Sequence, residues 1–116
     1  MINSSNVDSQ ADAVTKAKEY IDTHYAQDLS LEGMSRQTDI SPYYFSKLFK
    51  NKTGVTFIDY LTNLRIEKAK ELLADPSKSM KEICSEVGYS DPNYFSRIFK
   101  KVTGKTPTEY KDGLKL

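Results

Sequence analysis

The sequence predicts an all-α fold in which two similar helical units are joined by a long helix. Three observations carry this. Residues 41–61, SPYYFSKLFKNKTGVTFIDYL, return fifty positions later as residues 91–111, DPNYFSRIFKKVTGKTPTEYK, and ten of the 21 aligned positions are identical. An internal repeat of this kind decides architecture before any local propensity does. Each copy is also preceded by a short apolar-periodic segment opened by a capping serine, Ser30 or Ser79, and closed by a tight turn. Between the copies, residues 56–74 keep a helical apolar period with no breaker until Asp75-Pro76.

Taken in order, residues 1–11 are polar, rich in Ser and Asn and aperiodic, which predicts a disordered leader or linker remnant. A first helix over about 12–26 places Val14, Ala17, Ile21 and Tyr25 on one side. Ser30 then caps a short helix over about 31–38 that buries Leu31 and Met34. Gly33 inside it costs about 1 kcal/mol relative to alanine and softens its first turns. After the turn Thr38-Asp39-Ile40, Ser41 caps the first repeated helix. Pro42 takes its first position, where a missing N–H costs nothing. Phe45, Leu48 and Phe49, at i, i+3, i+4, form its buried stripe, and Gly54 ends it in the left-handed region.

The joining helix opens with the capping box Thr56-x-x-Asp59 and carries two adjoining apolar arcs. Phe57, Leu61, Leu64 and Leu72 form one; Ile58, Ile66, Ala69 and Leu73 form the other. Together they exceed the stripe of about 100° that serves a single partner, so the helix is expected to pack on both units and fix their separation. Arg65 points into the first arc, where an ion pair with an acid of the neighbouring unit is preferred over a phosphate contact.

The second unit repeats this grammar with one extra residue in its turn. Ser79-Met80-Lys81-Glu82 is a capping box, Val87-Gly88-Tyr89 is the turn, and Asp91 and Pro92 open a helix buried through Phe95, Ile98 and Phe99. Gly104 ends it. Thr106-Pro107-Thr108-Glu109 starts a last helix that turns Tyr110 inward, and the tail frays after Asp112-Gly113. A short helix, a tight turn and a second helix make a helix-turn-helix. Met80 answers Leu31, Ile83 answers Met34 and Tyr89 answers Ile40, so two such units stand in register: residues 12–54 and 76–112, with 55–75 between them.

Composition narrows the function. Hydrophobic residues make up 38% and charged ones 28%, an ordinary globular balance with no run approaching a membrane span and no signal-peptide pattern, so a cytoplasmic location is expected. The single Cys84 rules out an internal disulfide and, beside Ile83, reads as a core thiol. With His24 the only histidine, no Cys/His metal cluster or histidine-based triad assembles, and no nucleotide-binding glycine pattern is present. Neither catalysis nor a cofactor is expected.

The net charge is only +1, yet it is polarised: residues 1–40 carry −4, 41–53 carry +3, 54–90 carry −1 and 91–116 carry +3. No acid lies in residues 42–53 or 92–105. Opposite the buried stripes run Tyr43, Ser46, Lys47 and Lys50 in one copy and Asn93, Ser96, Arg97 and Lys100 in the other. A helix needing only solubility mixes charge signs. These two faces are therefore read as surfaces for an anion.

The motifs together resemble the DNA-binding domain of AraC/XylS-type transcription regulators over roughly residues 14–111. The resemblance rests on Ile83, Gly88-Tyr89, Tyr94-Phe95, Phe99-Lys100, Gly104-x-Thr106-Pro107-x-x-Tyr110, and on Tyr60-Leu61-x-x-Leu64-Arg65-Ile66-x-x-Ala69-x-x-Leu72-Leu73. It implies about seven helices, two helix-turn-helix units on a linker helix, and recognition helices in successive major grooves of double-stranded DNA. It also implies an upstream sensor or receiver domain outside this chain, with RNA polymerase as a further candidate partner. The acidic start of the first helix is similar to output domains of response regulators in that family, which makes an excised C-terminal output domain the expectation, with a free-standing regulator of about this size as the alternative.

On the chemistry of base edges, Tyr43, Ser46, Lys47, Asn93, Ser96 and Arg97 are the candidate base contacts. Arg97 matches guanine O6/N7 and Asn93 matches adenine N6/N7. Lys50, Lys100, Lys101, Ser30 and Ser79 suit phosphates, which set register without reading sequence. Tyr44 and Tyr94 are open between wedge packing and a phosphate contact. The rival reading, a helical module for an acidic protein partner, leaves unexplained why each basic helix follows a short capped helix and a tight turn. A linker of 19 residues spans about 28 Å at ~1.5 Å each, short of the ~34 Å between successive grooves. An asymmetric, bent site of two unlike half-sites follows as an expectation.

Overall fold

The structure is a computed structural model that describes the backbone of residues 2–114 and the side chains of residues 13–114. All regular structure among these residues is helical: α1 Ile2–His24, α2 Leu31–Thr38, α3 Pro42–Thr53, α4 Phe57–Leu73, α5 Met80–Glu86, α6 Pro92–Thr103 and α7 Pro107–Gly113. The chain divides into two compact units, the first ending at Leu61 and the second beginning at Thr62, so the division falls inside α4.

Local chemistry sets most helix ends where the sequence places them. The Ser30 hydroxyl accepts the Gly33 N–H at 3.0 Å, and the Ser41 hydroxyl accepts that of Tyr44. Ser79/Glu82 and Thr106/Glu109 each close both halves of a capping box. Thr56 closes only one half, accepting the Asp59 N–H at 3.1 Å, because an aspartate is one methylene too short to reach back comfortably. Gly33 has a local use: a Cβ there would stand 3.1 Å from the Ser30 hydroxyl oxygen that caps its own helix. Asp39 and Gly88 turn the two helix-turn-helix corners with φ of 59° and 100°, Asp being one of the few side chains that tolerates this region.

Three expectations need correction. Helix α1 begins about ten residues before the expected start near Asp12, so the polar leader is helical; it contains neither Gly nor Pro to stop a helix. The same helix ends at His24, and Tyr25 sits half-buried in the following turn instead of on the buried helical face. Ile58 is 59% exposed. Phe57 and Leu61, one turn apart, own the core side of that end of α4, and Ile58 lies about 100° round the helix, where the second copy has the polar Thr108.

The first unit buries Val14, Ala17 and Ile21 of α1, Met34 of α2, Phe45 and Phe49 of α3, and Phe57 and Leu61 of α4. The second buries Ile66, Ala69 and Leu73 of α4 with Ile83, Cys84, Val87, Phe95 and Phe99. The repeat is visible in the geometry. Phe45–Phe49 and Phe95–Phe99 ring centroids are both 5.9 Å apart, while Phe49–Tyr60 and Phe99–Tyr110 stand edge to face at 5.5 and 5.6 Å. Thr53 and Thr103 each bond the carbonyl of the phenylalanine one turn back at 2.8 Å and accept the N–H two residues on, which locks the corner after each repeated helix.

Gly54 and Gly104 end α3 and α6 at φ of 85° and 86°. Nothing lies within 4 Å of a Cβ at either site, so strain in the backbone alone opposes a side chain there. Gly104→Ala is expected to cost about 1–2 kcal/mol in urea denaturation, the penalty of the left-handed region for an L-residue.

The Tyr60 hydroxyl donates to Asp22 Oδ1 at 2.9 Å. Burial first, then this bond and the Asp22 charge, push the phenol up to about 12. The folded value lies above the unfolded one near 10, so the phenol's contribution is complete below about pH 10 and is lost as pH rises through about 12. Tyr60→Phe should cost about 0.5 kcal/mol at neutral pH, the low end for a partly exposed hydrogen bond. It should also flatten part of the alkaline fall in stability, which urea titrations across that range would reveal.

Candidate nucleic-acid interface

Burying Phe45, Leu48 and Phe49 leaves the opposite face of α3 to solvent. Tyr43 is 70% exposed, Lys47 and Lys50 are exposed, and Ser46 is half-buried between the two faces. The Lys47 Nζ stands 4.7 Å from the Tyr43 ring centroid, an i, i+4 cation–π pair that keeps the ammonium at the surface beside an open aromatic face. On α6, Asn93, Arg97, Lys100 and Lys101 are exposed and Ser96 is again half-buried. None of Lys47, Lys50, Arg97, Lys100 or Lys101 is in an ion pair among the described residues. The pairs found there are Lys68–Glu71, Lys70–Glu67 and Lys78–Glu86, all on α4, α5 and the segment between them.

The helix starts differ. Ser41 is neutral, whereas Asp91 puts a carboxylate at the head of α6, where it accepts the Asn93 N–H at 2.9 Å. That charge complements the helix dipole and takes the place an anion would otherwise favour. Ser30 and Ser79, both exposed, use their oxygens as caps and retain a hydroxyl proton to donate. At Ser79 the Glu82 carboxylate already holds the backbone N–H at 3.4 Å. Tyr44 and Tyr94 stand at equivalent positions with nearly equal exposure, 46% and 47%.

Sequence reasoning missed what lies behind Tyr94. Its ring leans on Tyr89 at 5.8 Å, Tyr89 packs on Phe95 at 5.7 Å, and the Arg65 guanidinium lies over the Tyr89 ring at 5.1 Å. Arg65 thus meets an aromatic ring of its own unit. The Cys84 thiol, buried and bonded to the Tyr89 carbonyl at 3.2 Å, is pushed up chiefly by burial and has the inertness of a core residue. No group of three or more His, Cys, Asp or Glu among the described residues is arranged to hold a metal ion, and no helix among them is long and apolar enough to cross a membrane.

Residues 34–113, which include both repeated helices, match a family model described as a helix-turn-helix domain. The sequence is 41% identical over 79 residues to the HTH-type transcriptional activator Btr of Bacillus subtilis, a match covering 68% of this chain and 15% of that protein. The chain belongs to the AraC family of helix-turn-helix transcription regulators. Solved AraC-type domains share its fold. The C-terminal domain of AraT, a response regulator from Geobacillus stearothermophilus, is 40% identical with a TM-score of 0.84, covering 87% of this chain and 84% of that one. The C-terminal domain of the response regulator yesN from Fusobacterium nucleatum is 37% identical with a TM-score of 0.82, covering 86% and 98%. A second relative, the regulatory protein PocR of Salmonella typhimurium, is 41% identical over 75 residues, covering 65% of this chain and 25% of that protein. The AraC-family chain therefore spans between about a seventh and a quarter of the length of these two relatives. The relatives that carry this domain are named as transcription regulators.

Proposed function

We propose that the chain binds double-stranded DNA sequence-specifically through α3 and α6, each entering a major groove at one of two unlike half-sites about one helical turn apart. The observation that carries this is the pair of acid-free helices, each following a short capped helix and a tight turn, with exposed basic side chains outside any ion pair among the described residues. Arg97 and Asn93 supply the bidentate groups for guanine and adenine. Lys47 reaches guanine, and the open ring of Tyr43 offers an apolar surface to a neighbouring thymine methyl. Lys50, Lys100, Lys101, Ser30 and Ser79 hold phosphates and set the register, with Tyr44 and Tyr94 assisting at the helix starts.

The same reading makes the chain the output part of a regulator whose sensing or receiver module lies elsewhere in the full-length protein. Its likeness to the C-terminal domains of two response regulators supports this. Selection of bound duplexes from a random pool, followed by mobility shifts, tests the reading. A recovered consensus of two half-sites is the expected result; a pool that stays random after enrichment would overturn it.

A further inference from the structure

We infer that Arg65 and Tyr89 are positioning residues for DNA binding: they brace Tyr94 so that its hydroxyl is presented at the head of α6 before the duplex arrives. The inference rests on the proposal that α6 is a recognition helix and deepens it with two residues that do not touch DNA.

The geometry is a short chain of contacts inside the second unit. Arg65 of α4 lies over one side of the Tyr89 ring at 5.1 Å. Phe95, fully buried, meets the same ring at 5.7 Å. Tyr89 is thereby held on its ring by α4 and α6, although it lies in the turn before α6. Tyr94, almost half exposed, leans on this fixed ring at 5.8 Å with a 59° tilt. An exposed tyrosine without such a support samples several rotamers and loses that freedom when it docks. One that is already supported does not. In the first unit Ile40 occupies the position of Tyr89, so no aromatic ring stands at that place in the turn.

Ordinary packing would also place Tyr89 here, so the test must separate support of Tyr94 from support of the fold. A double-mutant cycle on duplex affinity does this with the selected duplex as probe. Arg65→Gln in the otherwise native protein is expected to weaken binding by roughly three- to tenfold, the scale of ordering one side chain. In a Tyr94→Phe background, which keeps the ring and removes the hydroxyl, Arg65→Gln should change affinity by less than about twofold. In a Tyr44→Phe background its full effect should return. Equal weakening in both backgrounds, or no weakening in the native one, overturns the inference. If Arg65→Gln melts below the assay temperature, Tyr89→Leu, which removes the supporting ring, carries the same cycle with the same outcomes. Failure of the native protein to bind any duplex would instead overturn the reading of α6 as a recognition helix.

Discussion

Replacing Arg97 by alanine is expected to cost about 1–3 kcal/mol on the best duplex and to relax sequence preference at one base pair only. The guanidinium is exposed, two turns from the α6 cap, and outside any ion pair among the described residues, so its truncation removes a planar donor fork and leaves the fold untouched. Lys100 sits one turn further on and should behave differently. Lys100→Ala is expected to weaken all duplexes about equally and to reduce the salt dependence by about one phosphate. Affinities measured on the consensus, on single-base variants and on unrelated duplex separate these outcomes. If both substitutions lower specific and non-specific binding alike, the division of α6 into reading and phosphate-holding positions is wrong.

The second large effect is on stability. Phe99 is fully buried, 5.9 Å from Phe95 and 5.6 Å from Tyr110, and it serves α6 and α7 at once. Phe99→Ala removes most of a large ring from a packed cluster and is expected to cost about 3–5 kcal/mol. For a domain whose whole stability is about 5–15 kcal/mol, that is enough to unfold much of the population. Val102, three residues along the same helix and 40% exposed, is the control: Val102→Ala should stay within about 0.5 kcal/mol. Urea denaturation of both variants decides it. Comparable losses at the two positions would mean that the buried stripe of α6 is assigned to the wrong face.

What the sequence made legible was local. Ser41, Asp91, Ser79 and Thr106 cap by bonding an N–H two or three residues away, so their helices start where those residues stand. The exposed lines Tyr43–Lys47 and Asn93–Arg97 follow from the phenylalanines opposite them, because one buried stripe fixes the other face of a helix. Helix α1 was harder to delimit, because its polar first turns carry no apolar period to mark a start. Ile58 misled because periodicity alone does not say which of two neighbouring arcs meets a partner. Thr53 and Thr103 were visible as a repeated identity, but their locking role needs the fold of the corner. The contact of Arg65 with Tyr89 joins residues 24 positions apart and has no local signature at all.

The most direct test of the central claim is the salt dependence of affinity for a duplex. A molecule of net charge +1 with evenly spread charge would show almost none. Here the positive charge is gathered on α3 and α6, and each phosphate neutralised contributes about −0.9 to the slope of log affinity against log salt. With Lys50, Lys100 and Lys101 on phosphates, the account predicts a slope of about −3 or steeper. A slope near zero between low and moderate salt would contradict it.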